Sequence, residues 1–173
     1  MKKIKAYFVG GIISSNEAEA IALYEKSCFG EPEKERIIYS LYEALFLIEK
    51  NKIEVYSFQN KKISEKDFLK KSQRIDKKFM IKYRVFRDLR EKGHIVKTAL
   101  KFGAEFRVYE KGARPGKKHA KWIVFTDHEA GKVTWHEFAA KNRVAHSTRK
   151  KLLLAIVDEE GDVSYYEVGW IRP

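Results

Sequence analysis

Three residues in the second half of the chain have side chains suited to acid–base chemistry on a phosphodiester: Tyr109, His119 and Lys150. RNA cleavage without a metal ion needs a base for the ribose 2′-OH, an acid for the departing 5′-oxygen and a cation for the charge on the phosphorane. Each proton-transfer group typically contributes about 10²–10⁴-fold, and a positioned cation adds a comparable electrostatic effect. Spacing alone does not join the three residues, because an isolated histidine is more often structural or simply exposed.

Other kinds of active site lack their signatures in this sequence. None of the five histidines stands at a zinc-binding spacing from a cysteine or carboxylate, and one cysteine cannot form a thiolate site. The carboxylates near the basic stretches, Glu105, Glu110 and Asp127, do not gather into the acidic cluster of a metal-dependent nuclease. Segment 112–116 (GARPG) lacks the Gly-Lys-Ser/Thr ending of a phosphate-binding loop, and no Gly-x-Ser-x-Gly elbow is present. We expect no metal and no cofactor.

The composition predicts a globular protein with an anionic partner. A hydrophobic content of 44% is sufficient for a packed core. The net charge of +12 favours nucleic acid over a membrane surface as the partner, although a lysine-rich surface also serves solubility alone. No apolar run approaches the roughly 20 residues of a membrane span, and no signal peptide is recognised. Cys28 is the single cysteine, so no intramolecular disulfide can form, and we expect a cytoplasmic protein without a membrane partner.

Residues 1–76 alternate strand and helix patterns, which predicts an N-terminal mixed α/β domain. Strands are expected at 6–9, 12–13 and 53–58, and Ser64 begins a helix. An earlier helix is expected to begin at Asn16, with Glu19 as the reciprocal acid of its cap. The apolar positions at helical spacing are Ile21, Tyr24 and Cys28 in the first helix, and Ile38, Leu41, Leu45 and Ile48 in the second.

A fourth helix is predicted over residues 76–92, between the two halves of the chain. Its expected buried face is formed by Phe79, Tyr83, Phe86 and Leu89. Its outer face is basic and consists of Lys77, Lys78, Lys82, Arg84, Arg87 and Arg90. Such a face is either simply solvated or part of a phosphate-binding surface.

Residues 77–173 predict a C-terminal α/β domain around a mixed central sheet. The expected strands are 95–99, 105–109, 119–125, 152–157 and 163–171. Thr134 and Glu137 form a capping box, so a helix is expected to run to about His146. The continuous apolar run 152–157 is typical of a strand buried on both faces. The predicted fold class is therefore α+β.

Three segments of the C-terminal half resemble the catalytic half of the tRNA-splicing endonuclease family. They are 106–112 (FRVYEKG), 119–122 (HAKW) and 143–155 (RVAHSTRKKLLLA), in order and at family-like separations. Three linked motifs in register make chance similarity unusual. The resemblance extends over residues 80–173, and residues 1–76 are similar in length and character to the family's N-terminal domain. It implies that residues 77–173 are the catalytic nuclease domain.

The resemblance implies a role for each candidate residue. Tyr109 matches the family's general base, His119 its general acid and Lys150 the residue that stabilises the transition state. Lys151 is an adjacent alternative, but the Leu-Leu-Leu-Ala that follows favours Lys150. Family substrates carry a bulge–helix–bulge fold, and the products end in a 2′,3′-cyclic phosphate and a 5′-hydroxyl.

Two arginines are candidates for RNA binding on the same ground. Arg143 occupies the place on the helix where the family binds a bulged base. Arg172, near the C-terminus, is the second candidate, and an ordinary surface arginine is the alternative for each.

A tyrosine base presents a chemical difficulty, because free tyrosine has a pKa near 10 and free histidine one near 6.5. Nearby cations must favour the phenolate if Tyr109 is to act as a base at neutral pH. Lys111, Lys117, Lys118 and Lys150 are candidates for that charge. Without them, Tyr109 would only orient the 2′-OH.

An acidic turn near the C-terminus contrasts with the basic chain and consists of Asp158, Glu159, Glu160 and Asp162. From the residues alone, a solvated hairpin turn is the simpler interpretation. The resemblance instead implies subunit contact, because in matching enzymes an acidic loop here inserts into a basic cleft of another subunit. The chain length resembles the archaeal form that assembles from four identical chains as a dimer of dimers. Tyr165, Val168 and Trp170 are the expected dimer seam.

Two other functions stay open at this point. One is a non-catalytic, basic, RNA-binding structural subunit of a nuclease complex. The other is a metal-dependent DNA nuclease of similar fold. Resistance of cleavage to EDTA separates the enzyme predicted here from the second of these.

Overall fold

A computed structural model describes residues 2–173 of the chain. The chain divides into two compact units, Met1–Phe79 and Met80–Pro173. Within residues 2–173, every helix is too short or too polar to cross a bilayer.

The first unit contains a five-stranded mixed sheet and three helices. The strands are β1 (Ile4–Val9), β2 (Ile12–Ser15), β3 (Glu31–Glu33), β4 (Arg36–Tyr39) and β5 (Ile53–Ser57), and the helices are α1 (Ala18–Ser27), α2 (Leu41–Glu49) and α3 (Glu65–Ile75). The strand order is β3-β4-β2-β1-β5, with β1 parallel to β5 and the other neighbours antiparallel. Gly10 and Gly11 both adopt positive φ, as the tight turn between β1 and β2 requires.

Helix α1 begins one residue later than the sequence predicts. Its N-cap is Glu17 rather than Asn16, and no side chain caps it. Glu17 instead donates its amide to Ser15 Oγ at 3.3 Å, and its carboxylate accepts the amide of Lys5 on β1 at 2.8 Å. The predicted reciprocal cap between Asn16 and Glu19 is therefore wrong, because contacts to β1 and β2 set the start of this helix.

The buried face of α1 also differs from the prediction. Ala20 and Leu23 are buried, whereas Ile21 is 41% exposed and Tyr24 is half-buried. The observed pair, Ala20 and Leu23, has the same spacing as the predicted pair but lies one residue earlier in the chain. The buried face is therefore rotated by about 100° around the helix axis. Cys28 is a small buried residue, as expected.

Helix α2 begins after Ser40, whose hydroxyl accepts the amide of Glu43 while the Glu43 carboxylate accepts the Ser40 amide. This capping box leaves Ile38 on β4, so its predicted place in a helical stripe is wrong. Residues 43–47 are all buried, so α2 is enclosed on most sides rather than along one face. The predicted cap at Ser64 is confirmed, because its hydroxyl accepts the amide of Asp67 at 3.1 Å.

The second unit contains a five-stranded mixed sheet. Its elements are α4 (Phe79–Glu91), β6 (Ile95–Ala99), a 3-10 turn (Leu100–Phe102), β7 (Ala104–Tyr109), β8 (Trp122–His128), α5 (Trp135–Ser147), β9 (Lys151–Val157) and β10 (Val163–Val168). The strand order is β10-β9-β8-β7-β6, with β8 parallel to β9 and the other neighbours antiparallel. Strand β8 begins at Trp122, so His119 lies in the preceding loop. The α+β class and the mixed C-terminal sheet are confirmed.

Helices α4 and α5 pack on opposite faces of this sheet. Phe86 of α4 contacts Phe106 of β7, with ring centroids 5.9 Å apart. Ala145 of α5 packs with Ile123 and Leu152, whose side chains point to the other face. Phe106 is fully buried, so its truncation to alanine costs about 3–5 kcal/mol. The predicted buried residues of α4 and the predicted capping box of α5 are confirmed.

Candidate active site

The strand order brings three chain segments to one edge of the C-terminal sheet. Because β7 is antiparallel to β8 and β8 is parallel to β9, the end of β7 and the starts of β8 and β9 meet there. Trp122 pairs with Val108 on one side and with Lys151 on the other. The main chain of Lys121 joins these ends, since its amide donates to Val108 and its carbonyl accepts from Lys151, each at 2.9 Å.

A cleft of about 320 Å³ opens at this edge. The residues that line it are Phe102, Arg107, Tyr109, Gly116, Lys117, Lys118, His119, Ala120 and Lys150. All three sequence candidates for catalysis are among them. They come from a strand end, a loop and a helix-to-strand junction, so the strand pairing brings them together rather than any local pattern.

Tyr109 is the last residue of β7 and is 5% exposed. It packs with Ala113 and Ala120, and with the partly buried Ile95 on β6. This packing limits the movement of the ring, because a buried aromatic residue has few accessible rotamers. The Tyr109 side chain therefore lines the cleft in a fixed orientation.

His119 lies in the loop of residues 110–121 and is exposed. Main-chain hydrogen bonds order this loop: Ala113 donates to Glu110 at 2.9 Å, and Lys118 donates to Arg114 at 3.0 Å. The next residue, Ala120, is 5% exposed and packs against the Tyr109 cluster. The His119 imidazole is thus accessible, while the next residue, Ala120, is buried and holds the main chain in place.

Lys150 follows the C-terminus of α5 and precedes β9. Its amide donates to Ala145 at 2.9 Å, and Arg149 before it adopts a left-handed conformation with φ of 53°. Its ammonium donates to the Thr148 carbonyl at 3.0 Å and lies 5.7 Å from the Phe102 ring centroid. The cation is half-buried and held at the cleft wall.

Lys151, the alternative cation, is placed differently. Its ammonium forms an ion pair with Glu167 on β10, and its side chain is not among those lining the cleft. This ion pair and the Trp122 indole lower the pKa of the Glu167 carboxyl. The geometry therefore favours Lys150 over Lys151 as the cation of the cleft.

The cleft is electropositive. Arg107, Lys117, Lys118 and Lys150 line it, and none of its described lining residues is a carboxylate. The nearby Glu110 is paired with Lys121, which lowers the pKa of the Glu110 carboxyl. Among residues 2–173, no group of three or more histidine, cysteine or acidic side chains is arranged to hold a metal ion. The cleft suits a phosphate group better than a cation.

Sequence reasoning missed three residues of this site. Phe102 and Arg107 line the cleft, and His94, the residue just before β6, contacts Tyr109. Arg107 lies within the family-like segment 106–112, but its role as a lining residue depends on which face of β7 it occupies. His94 has no local signal, because it meets Tyr109 through the pairing of β6 with β7.

Arg143 and Arg172 do not line the cleft. Arg143 is exposed on α5 and lines a second groove of about 680 Å³ with Phe138, His146 and Trp170. The Arg172 guanidinium lies 5.1 Å from the Trp170 ring centroid. The two arginines therefore flank one aromatic residue, Trp170, which is 53% exposed.

The acidic turn is organised by one of its own acids. Asp158 Oδ1 accepts the amides of Gly161 at 2.7 Å and Asp162 at 2.8 Å. The other acids, Glu159, Glu160 and Asp162, are exposed. Asp158 is thus a structural residue of the turn, and the other three carboxylates face solvent.

The expected dimer seam is only partly exposed. Tyr165 donates its hydroxyl to Asp88 of α4 at 2.7 Å, and burial together with this contact raises the pKa of Tyr165. Val168 is partly buried against the sheet core. Trp170 and its neighbour Ile171, which is 80% exposed, are the accessible apolar residues here.

Comparison with known proteins gives matches over both units. The model described as tRNA intron endonuclease, catalytic C-terminal domain, matches residues 79–165, and the tRNA intron endonuclease, N-terminal domain, matches residues 4–69. The tRNA-splicing endonuclease of Pyrococcus horikoshii is 41% identical over 172 residues, which are 99% of this chain and 98% of that protein. The protein of that name from Nanoarchaeum equitans is 45% identical over 139 residues, 77% of this chain and 88% of that protein. The one from Pyrococcus abyssi is 38% identical over 174 residues, 99% of each.

Proposed function

The chain belongs to the tRNA intron endonuclease family, and on that premise we propose that it excises introns from precursor tRNA by cutting at bulge–helix–bulge splice sites. The observation that carries the proposal is the basic cleft, which is lined by Tyr109, His119 and Lys150 together. These are the base, acid and cation that metal-free transesterification needs.

In the proposed reaction, Tyr109 takes the proton of the ribose 2′-OH as the 2′-oxygen attacks the adjacent phosphorus. The bond from phosphorus to the 5′-oxygen breaks, and His119 gives its proton to that oxygen. The Lys150 ammonium stabilises the additional negative charge of the phosphorane, which is largest in the transition state. The products are a 2′,3′-cyclic phosphate and a 5′-hydroxyl, and no water molecule is consumed in this step.

The charge of the cleft supports Tyr109 as the base. Lys117, Lys118 and Lys150 line the same cleft, and positive charge nearby favours a phenolate over a phenol. The same lysines attract the phosphodiester, since phosphate contacts provide most of the sequence-independent affinity for RNA. One set of cations thus supports both substrate binding and base formation.

We assign recognition of the bulged base to Arg143 and Arg172. Arg143 lines a groove together with the exposed Trp170, and the Arg172 guanidinium lies near the ring of Trp170. A planar guanidinium stacks on a base face, and an indole does the same. Bases in a bulge are unpaired and available for such stacking, whereas bases inside a duplex are not.

We further propose that four identical chains assemble as a dimer of dimers and act in the cytoplasm. The exposed carboxylates of Glu159, Glu160 and Asp162 support the assembly, because an acidic cluster on a chain of net charge +12 is complementary to the basic surface of another copy. The buried, single Cys28 is in keeping with a reducing compartment.

Incubation of the purified protein with an intron-containing precursor tRNA, with and without EDTA, tests the proposed function. We expect two cuts at the intron boundaries in both conditions, with 5′-ends that polynucleotide kinase labels directly and 3′-ends that resist phosphatase until the cyclic phosphate is opened. The same tRNA without its intron and a His119→Ala preparation serve as controls for contaminating ribonuclease. Cleavage that stops in EDTA contradicts the mechanism, and RNA binding without cleavage would make the chain a structural subunit.

A further inference from the structure

One face of the sheet in the first unit is more exposed than the other. Strand β1 alternates between buried Ile4 and Ala6 and the more exposed Lys5 and Tyr7. The buried set faces the helices, since Phe8 of that set contacts Phe68 of α3 with ring centroids 6.0 Å apart. The opposite face of the sheet is therefore open to solvent.

Two tyrosines stand side by side on this open face. Tyr7 on β1 pairs in register with Tyr56 on the parallel strand β5, and their ring centroids are 6.1 Å apart. The hydroxyls are held by the protein, because Tyr56 donates to Glu54 at 2.8 Å and Tyr7 to Asn60 at 3.5 Å. Tyr7 is 39% exposed. The two rings form a fixed, accessible aromatic surface.

A third aromatic residue follows the pair closely in the sequence. Phe58 directly follows the end of β5, and 82% of its surface is exposed. A phenylalanine this exposed contributes nothing to the core of the chain. Phe58 is thus a further exposed aromatic side chain, two residues after Tyr56 in the chain.

Lysines surround these rings. The Lys5 ammonium lies 5.7 Å from the Tyr56 ring centroid, and Lys62 pairs with Tyr56 through an isolated bridge. Glu54 is the acid between them, and it is contacted by Lys62 at 2.7 Å and by Lys3 at 3.8 Å. Lys3, Lys5 and Lys62 outnumber Glu54, so this part of the surface carries a net positive charge.

We infer that this surface, the Tyr7–Tyr56 platform (Lys5, Tyr7, Tyr56, Phe58 and Lys62), binds single-stranded RNA. Bases stack on the aromatic rings, and the lysines contact the phosphates between them. Adjacent strands that present aromatic side chains on an open face suit single-stranded nucleic acid because every base has a stacking face. A protein partner suits the platform less, since charged residues are depleted at the centres of protein interfaces.

The platform adds a second RNA contact to the one at the cleft. That the natural ligand is precursor tRNA rests on the proposed function, whereas binding of single-stranded RNA does not.

Fluorescence anisotropy with the full chain and a labelled, 2′-O-methylated oligouridylate tests the platform, because this probe lacks the 2′-OH that cleavage requires. The double variant Tyr7→Ser, Tyr56→Ser should bind at least about tenfold more weakly than wild type, since stacking on each ring contributes substantially. The variant Tyr7→Phe, Tyr56→Phe keeps both rings and should bind within about twofold of wild type. The melting temperatures of both variants check that the chain still folds.

Wild-type affinity of the folded serine variant overturns the inference. So does a change of mass in light scattering with unchanged RNA affinity, because that result makes the platform a protein interface. If wild type fails to cleave precursor tRNA but the serine variant still loses oligouridylate binding, the proposed function fails and the platform stands. A 4-thiouridine probe should crosslink to peptides containing Tyr7, Tyr56 or Phe58, and crosslinks confined to the cleft loop would contradict it.

Discussion

His94 donates a hydrogen bond from Nδ1 to the main-chain carbonyl of Tyr109 at 2.9 Å. A carbonyl only accepts, so Nδ1 carries the proton. The His94 ring also meets the Trp122 ring edge-on, with centroids 5.7 Å apart. His94 therefore joins the end of β7 to the start of β8, which are two of the three segments that form the cleft.

Replacement of His94 by phenylalanine should slow single-turnover cleavage about tenfold while substrate affinity stays near wild type. The ring contact to Trp122 persists in this variant, but the Tyr109 carbonyl loses its donor, and small displacements of a catalytic group are costly to rate. A His94→Asn variant, which retains an N–H donor, should recover part of the loss. Equal rates in all three proteins would show that Tyr109 needs no such support.

The neighbouring lysines form a matched pair for testing the catalytic cation. Lys150→Ala should lower the cleavage rate by about 10²-fold with little change in affinity, because its charge is needed most in the transition state. Lys151→Ala should stay close to wild type in rate, since that ammonium is paired with Glu167 at the surface. Single-turnover rates and binding constants for both variants test whether Lys150 is the catalytic cation. A change in affinity alone for Lys150→Ala would make it a phosphate-binding residue.

Recognition of bulged RNA should depend on Arg143. Arg143→Ala is expected to weaken binding of a bulge–helix–bulge RNA by about 0.5–2 kcal/mol, the range for a cation–π contact with an aromatic ring, and to spare a fully paired RNA. Arg74→Ala removes an exposed arginine of α3 that does not line the Trp170 groove, so it serves as the control. An equal loss of affinity for both RNAs would show that Arg143 contacts only the RNA phosphate backbone.

Assembly is tested by reversing the charge of the exposed acids, Glu159, Glu160 and Asp162, to lysine. Asp158 should be kept, because its carboxylate organises the turn and its loss would disturb the fold of the turn itself. The triple variant is expected to form dimers instead of tetramers and to lose paired cleavage, since like charges then meet at the contact.

Light scattering on wild type and on the variant measures this change. A control with lysines at the exposed Glu25, Glu31 and Glu35 carries the same added charge elsewhere. Tetramers in the control and dimers in the variant support the assembly. A variant of unchanged mass, or a wild type that is monomeric at micromolar concentration, would refute it.

Local signals in the sequence predicted much of the fold. The caps at Ser64 and Thr134 and the apolar face of α4 each depend on neighbouring residues, and each is confirmed. The cap of α1 depends on the contact of Glu17 with Lys5 on β1, which lies twelve residues away, and there the prediction was wrong. Tertiary contacts override local preference at such positions.

The candidate site, too, was predicted only in part from the sequence. The family resemblance identified Tyr109, His119 and Lys150, and the membership and the assignment as an RNA-cleaving endonuclease are confirmed. Their common cleft depends on the parallel pairing of β8 with β9, which no local pattern encodes. Arg107 was missed because its place in the cleft depends on which face of β7 it occupies, and Phe102 because it reaches the cleft from the turn before β7. The roles of the individual residues stay predictions.

The most direct test of the proposed mechanism is a substrate whose scissile 5′-oxygen is replaced by sulfur. His119→Ala should cleave the normal RNA at least about 10²-fold more slowly than wild type and bind it equally well. A thiolate leaves without protonation, so the sulfur substrate should restore the variant to near wild-type rate, while Tyr109→Phe, which lacks the base, should stay slow on both substrates. His136→Ala, an exposed histidine outside the cleft, is the matched control. Failure of sulfur to rescue His119→Ala, or wild-type cleavage of the normal RNA by that variant, would contradict the assignment of His119 as the acid.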